Sequence, residues 1–340
     1  MTYPGTDSRL CGVAVTIKDV ARLAGVSASS VCRTLAAPDK VRPDTRERVQ
    51  RAVAELGYYP NRAARGLITG RTGNLGLIVP DIANPFFPDI IKAVEARARE
   101  LDYAVFLADT DEDPAAEVAL IRAMSKQVDG FLLVSARCSD DELRSVYRDL
   151  PVVVVQRRVR HVPAVTFDDH DGILQAVGHL ATLGHRRVAY VAGPRTSWSN
   201  KERQRILRLT TSAVGVELVD TGHAAPTLDG GTAVADLVLA TGATAVMTFN
   251  DLMALGLLRR FRALGVEVPG DISVVGFDDI PLAELVDPPL TTIALAKQKA
   301  GRAGIDMLIG LLNNPETAAP RTVLPTQLTV RASTGPARRG

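Results

Sequence analysis

From Leu75 onward the chain repeats one unit, a short run of aliphatic and β-branched residues followed by a longer amphipathic stretch, and few folds can hold that alternation. The runs are 75–79 (LGLIV), 103–108 (YAVFLA), 130–134 (GFLLV), 152–155 (VVVV), 188–192 (VAYVA), 244–248 (TAVMT) and 272–276 (ISVVG). Helical periodicity covers 87–101, 115–126, 171–183, 229–240 and 251–264. Strands that are apolar throughout are buried on both faces, and strands separated by helices run parallel. Roughly 260 residues of this exceed one such sheet, which predicts two stacked α/β subdomains. Ligands of open parallel sheets sit at the carboxyl ends of the strands, where this chain places its polar clusters. These are Asp81 with Asn84, Phe86 and Phe87; Asp109 and Asp111; Gln156 to Arg158; and Asp168, Asp169 and His170. The second half adds Arg195, Thr196, Ser197, Trp198 and Arg203, then Asn250 and Asp251, then Asp278 and Asp279. Donors and acceptors beside aromatic faces suit a hydroxyl-rich ligand. Polar residues at strand ends also serve as helix caps, a reading that applies especially to Asp168, Asp251 and Asp279.

The stretch before Leu75 reads differently. In Thr16 to Leu35, TIKDVARLAGVSASSVCRTL, the residues Ile17, Val20, Ala21 and Ala24 fall at i, i+3, i+4 and i+7 and form one apolar stripe. Thr16 caps this helix, with Asp19 three residues on as a shortened capping box, and Gly25 supplies the left-handed residue that ends it. Ser27 caps a second helix whose Val31 and Leu35 point inward, leaving Ala28, Ser29, Ser30, Cys32 and Arg33 outward. Such a pair is ordinary packing, and it is also the unit that lays a helix in the DNA major groove. Residues 1–71 carry 12 Lys/Arg against 6 Asp/Glu, whereas 72–340 carry 28 against 32. Basic charge beside the helix pair fits a nucleic-acid footprint or a solvated face. A third helix is expected over about 44–56, with Val49, Ala52, Val53 and Leu56 inward, Pro43 in its first turn, Arg42 as a poor cap and Gly57 at its end. Residues 61–69 contain helix formers but are too short to be stable alone, so they are a connection that folds only when supported. Residues 1–14 are expected to be a disordered tail.

Other classes are excluded by what the chain lacks. Cys11, Cys32 and Cys138 are few, odd in number and without metal-ligand spacing, so reduced thiols and no metal are expected. No apolar stretch is long enough to span a bilayer and no signal peptide is apparent, which predicts a cytoplasmic protein. There is no phosphate-binding loop with a terminal Lys-Ser/Thr, no G-x-S-x-G and no H-E-x-x-H, so neither an enzyme nor a cofactor is expected. The five histidines do not cluster, and His185 is expected to order a loop.

The runs VTIKDVARLAGVSASSVCRTL, ELGYYPNRAARGL, GLIVPDIANPFF, LGHRRVAYVAGP, FNDLMALGLL and ISVVGFDDIPLAELVDPPLTTI together resemble the LacI/GalR family of bacterial transcription regulators over about residues 15–330. The resemblance implies an α/β fold class: an N-terminal all-α helix-turn-helix headpiece, then a periplasmic-binding-protein-like core of two doubly wound parallel-sheet subdomains. The implied boundaries are headpiece 15–60, hinge helix and linker 61–72, core 73–332 and a tail at 333–340. Within the core, subdomain one is about 73–168 and 297–322, and subdomain two about 169–293 and 323–332. Ala28 and Ser29 would enter the major groove and Arg33 would donate to a guanine edge. Thr16, Ser27, Ser30 and Asn61 would hold phosphates, and Cys32, where serine is common, would hold one more weakly. Leu67, with Ala64 one turn earlier, would wedge into the minor groove. The effector residues implied are Arg203, Asn250 and Asp278, closed over by Asn84, Phe86 and Phe87. Gln156 replaces a usual aspartate, Asp169 a usual asparagine, and Ile206-Leu207 a common Gly-Phe. The first exchange removes a charge from the cleft. The implied function is a repressor of a pseudo-palindromic double-stranded DNA operator, controlled by a sugar or sugar derivative, in a homodimer or tetramer with no membrane role. A solute-binding protein without a DNA role is the alternative, and it leaves the basic headpiece unexplained.

Overall fold

The computed structural model describes residues 15–36, 38–58, 71–314 and 319–338. The chain divides into two compact units that meet between Thr72 and Gly73. The expectations for residues 1–14 and 61–69 lie outside the described residues.

Among the described residues the first unit holds three helices, α1 (Ile17–Ala24), α2 (Ala28–Ala36) and α3 (Pro43–Leu56), with a 3-10 turn at Pro38–Lys40 before the third. The backbone N–H and the hydroxyl of Thr16 both donate to Asp19 Oδ2, at 3.0 and 2.7 Å, so the carboxylate closes the start of α1. Those two bonds, the hydroxyl first, hold the Asp19 carboxyl below its ordinary range. Gly25, at φ +63°, turns the chain out of α1. Ser27 Oγ then accepts from Ser30 N at 3.1 Å to start α2. Val20, Ala21, Ala24, Val31, Val49, Ala52 and Tyr58 make the core, bordered by Ile17, Leu35, Val53 and Leu56.

Among the described residues the second unit contains two six-stranded sheets. The first sheet comprises β1 (Asn74–Val79), β2 (Ala104–Asp109), β3 (Phe131–Val134), β4 (Val152–Val155), β5 (Ala164–Phe167) and, from the far end of the chain, β11 (Arg321–Leu324), in the order β11-β5-β4-β3-β1-β2. The second comprises β6 (Arg187–Ala192), β7 (Glu217–His223), β8 (Ala245–Thr248), β9 (Ser273–Asp278), β10 (Thr291–Leu295) and β12 (Thr326–Thr329), in the order β12-β10-β9-β8-β6-β7. Every pairing is parallel except that of β10 with β12. Helices α4 (Phe87–Glu100), α5 (Pro114–Met124) and α6 (Asp140–Asp149) accompany the first sheet, and α7 (Asp169–Thr182), α8 (Trp198–Ala213), α9 (Leu228–Ala240), α10 (Asp251–Ala263) and α11 (Leu282–Leu285) the second. The long α12 (Lys297–Asn313) lies on the first sheet, packed on α4. Gly301 permits that approach, because a Cβ there would sit 2.7 Å from the Ile90 carbonyl oxygen.

The chain therefore passes between the two halves three times, at Asp168, Ala296 and Pro325. The last position corrects the expected boundary at 322: Arg321–Leu324 pair in register with Ala164–Phe167, so the strand ends before the chain leaves the first half. The expected tail at 333–340 is also corrected. Ser333 is buried and its hydroxyl donates to Val274 O, Ala337 N donates to Leu183 O, and Arg338 pairs with Asp271, so residues 333–338 are sewn onto the second half. Periodicity did not reveal β5, β7, β10, β11 or β12, nor α6, α8 and α12. β7 and β11 are edge strands with exposed positions, and α8 is largely polar with an arginine in its core-facing stripe.

Candidate functional site

The carboxyl ends of both sheets face one narrow, partly open space of about 20 Å³, room for a single water molecule. From the first half, Asn84, Phe86 and Phe87 follow β1, Glu112 follows β2, Ser135 and Arg137 follow β3, and Gln156 follows β4. From the second, Ser199 and Arg203 follow β6, Pro226 follows β7, Phe249 and Asn250 follow β8, and Asp278 ends β9. The structure thus brings Asn84, Phe86, Phe87, Gln156, Arg203, Asn250 and Asp278 onto one wall-to-wall lining. Sequence reasoning missed Glu112, Ser135, Arg137, Ser199, Pro226 and Phe249. Each lies a few residues past a strand, so reading every strand end alike would have found them.

Arg203 is the centre of the cleft. It sits in the second turn of α8, which begins at the Ser197 cap, whose Oγ accepts from Asn200 N at 3.2 Å. Its guanidinium is 1% exposed and lies 3.4 Å from the Phe277 ring centroid. Nε donates to Asp169 Oδ2 at 3.2 Å and Nη1 to the Phe249 carbonyl at 2.6 Å. Nη2 stands 3.9 Å from Asp278 Oδ1 and has no hydrogen-bond partner among the described residues, and neither has Asp169 Oδ1. Burial pushes the carboxyls of Asp169 and Asp278 up, and the guanidinium between them opposes that rise. A buried cation with a free N–H beside a protonatable acid leaves both a donor and an acceptor for a hydroxyl group.

The other walls are tightly bonded. Gln156, at φ +59°, accepts from the Ser135 hydroxyl at 2.6 Å through Oε1. Arg137 grips Glu112 with Nε at 2.5 Å and Nη2 at 2.9 Å, and its Nη1 donates to Ser135 O. Behind them, Glu117 accepts from the backbone N–H of Arg137 and of Cys138, at 2.6 and 3.1 Å. Burial pushes the Cys138 thiol well up, which leaves it unreactive.

The cap reading of Asp168, Asp251 and Asp279 requires correction. Asp168 makes no cap bond to α7. Asp251 instead accepts from Ile280 N at 2.9 Å and from the Thr292 hydroxyl at 2.6 Å, bracing neighbouring loops, while Asp279 pairs with Arg331 at 2.8 Å. The cap of α10 is Asn250, whose Oδ1 accepts from Met253 N and whose Nδ2 donates to Pro226 O. His185 orders a loop, bonding Thr244 Oγ1 with Nδ1 and the Gly335 carbonyl with Nε2.

In the N-terminal unit, Ser29 and Arg33 are exposed on α2. Ala28, Ser30 and Cys32 are half-buried; Ala28 borders the helical core, and the hydroxyls of Ser27 and Ser30 bond each other at 2.9 Å. Thr16 and Ser27 are exposed at the two helix starts. Asn61, Ala64 and Leu67 lie outside the described residues.

Residues 16–61 match the family described as bacterial regulatory proteins, lacI family, and residues 177–334 match a periplasmic binding protein-like domain. The HTH-type transcriptional repressor CytR of Escherichia coli (strain K12) is 33% identical over 330 residues, covering 94% of this chain and 96% of that protein. The HTH-type transcriptional regulator CelR of Thermobifida fusca is 36% identical over 335 residues, covering 94% and 98%. Among solved structures, the lac repressor dimer bound to operator and the anti-inducer ONPF superposes with a TM-score of 0.84 at 28% identity, covering 95% of this chain and 100% of that one. The CelR–cellobiose complex superposes with a TM-score of 0.70 at 34% identity, covering 94% and 99%.

Proposed function

The chain belongs to the LacI family of bacterial regulatory proteins, and on that premise we propose that it is a transcriptional repressor whose affinity for a pseudo-palindromic operator is set by a small sugar-like effector in the Arg203 cleft. The observation that carries the reading is the pairing of two features in one chain: α2 presents Ser29 and Arg33 to solvent from a capped three-helix unit, and the core holds a buried guanidinium with an unspent N–H. In this reading Ala28, Ser29 and Arg33 meet base edges, while Thr16, Ser27, Ser30, Cys32 and Asn61 meet phosphates. Leu67, beside Ala64, enters the minor groove. The protein acts as a homodimer in the cytoplasm and has no catalytic role. Relatives supply the ligand classes: the lac repressor was solved on its operator, and CelR with cellobiose.

The effector enters by parting the two halves, because a cleft of about 20 Å³ admits no sugar ring in its present form. Its hydroxyls then pair with Arg203 Nη2 and Asp278, with Asn84, Gln156 and Asn250 at the edges and Phe86 and Phe87 against its apolar face. A thermal-shift screen of the full chain against neutral sugars, sugar phosphates and nucleosides tests this. A ligand at 100 times its dissociation constant adds about 2.7 kcal/mol. The stabilising compound is expected to release operator DNA, and one that stabilises the core without changing DNA affinity would contradict the repressor mechanism.

A further inference from the structure

The first turn of α12 is built against electrostatic expectation. It opens Lys297-Gln298-Lys299 with no acidic residue and no side-chain cap, so its cations face the positive end of the helix. Lys297 is nonetheless 8% exposed. A buried ammonium at the unfavourable end of a helix needs partners elsewhere, and it has them across the cleft. The stem of Lys297 belongs to α12, which lies on the first sheet, immediately after the crossing at Ala296. Its Nζ donates to the carbonyl oxygens of Asp278 at 2.9 Å and Asp279 at 2.7 Å, at the end of β9 in the second sheet. Asp89 Oδ2 of α4, again in the first half, is 3.9 Å away.

The receiving residues are shaped for this bond. Asp278 and Asp279 have φ of +118° and +53°, conformations that L side chains rarely adopt and that persist only where the surroundings hold them. Within the second half they are held by Arg203 beside the Asp278 carboxyl and by Arg331 on the Asp279 carboxyl. Lys297 supplies the grip from the first half.

We propose that Lys297 is a positioning residue that clasps the two halves of the core together and fixes the backbone of Asp278 in the cleft. A ligand that engages the Asp278 carboxyl pulls on the same residue whose carbonyl Lys297 holds, so the clasp senses occupancy and sets how readily the cleft opens. That Lys297 holds the two halves together does not depend on the repressor reading, whereas its response to occupancy rests on the effector reading of the same cleft.

Neither DNA nor effector is needed for the test. Nitroxides are placed at Arg122→Cys on α5 and Lys201→Cys on α8 in a full-length Cys11→Ser/Cys32→Ser background. The labelled chain is diluted with unlabelled chain so that one protomer carries the pair, and the distance distribution is read by double electron–electron resonance. Lys297→Met is expected to broaden the distribution or move its centre by more than about 2 Å. Lys297→Arg, which keeps a charged donor able to reach both carbonyls, is expected to restore the parent distribution, a rescue that mere packing of the stem would not require. A parent-like distribution in Lys297→Met would overturn the proposal, as would a Lys297→Arg chain that opens as far as Lys297→Met. If Lys297→Met does not accumulate as folded protein, Lys297→Gln is measured in its place, and a parent-like distribution there overturns the proposal equally.

Discussion

At Arg203 a stability role and a binding role coincide. The family resemblance implies that Arg203→Ala removes the effector response and leaves DNA affinity of the unliganded protein nearly intact. The structure adds a cost, because the substitution strands Asp169 and Asp278 without their shared cation. Breaking a buried pair of this kind costs about 3–5 kcal/mol. Urea denaturation of Arg203→Ala is expected to show a loss of that size, whereas Arg203→Lys retains the charge, loses less stability and still fails to respond to effector. Nearby, burial pushes Asp251 up to about 7, against hydrogen bonds from Thr292 and Ile280 that pull it down. A carboxyl with a raised folded-state pKa contributes stability that is complete below its unfolded value and is lost as pH rises through the folded one. Asp169 and Asp278 shift in the same direction. The unfolding free energy is therefore expected to fall by roughly 2 kcal/mol between pH 5 and 7 from Asp251 alone. Asp251→Asn should flatten that part of the profile in denaturation curves taken across the range, and an unchanged slope would place the titration elsewhere.

Among the elements, Gly25 is the simplest to test. A Cβ there meets nothing closer than Arg48 Nη1 at 3.8 Å, so Gly25→Ala adds no clash and its cost is the left-handed backbone, about 1 kcal/mol. Calorimetry should show the transition of the helical unit lowered and that of the core unmoved. Leu67→Ala should weaken operator binding more than non-specific binding, since a minor-groove wedge acts only where the DNA is kinked; equal losses in a competition titration would remove that role. These elements also show what a sequence can reveal. The stripes of α1 and α3 and the all-apolar strands β3 and β4 were legible because each buries a face whose period is fixed by the backbone. β7 (ELVDTGH) and β11 (RTVL) were not, since these edge strands interleave polar residues with apolar ones, whereas the edge strand β2 keeps an apolar run. α8 was hidden because its inward stripe contains Asn200 and Arg203, polar residues whose partners lie outside the helix, Gly193 for Asn200 and the distant Asp169 and Phe249 for Arg203. Asn250 was legible as a polar strand-end residue, but its role as the cap of α10 emerged only once Pro226 and Met253 were placed around it.

For the whole molecule, the charge asymmetry in the sequence becomes a division of labour. The basic residues cluster in the unit that carries α2, and the acidic excess falls in the unit that carries the cleft. Phosphate contacts made by the first unit release counterions, so affinity for DNA should fall steeply and linearly on a logarithmic salt scale. The pairing of the two units in one chain is what separates a regulator from a solute binder, whose ligand affinity would be unchanged by removal of residues 1–71. The most direct measurement is a titration of the full-length protein, at physiological salt, against a palindrome selected from a random pool and against a random duplex of equal length. The account predicts that the selected palindrome binds at least about a thousandfold more tightly. Equal affinity for the two duplexes would contradict it.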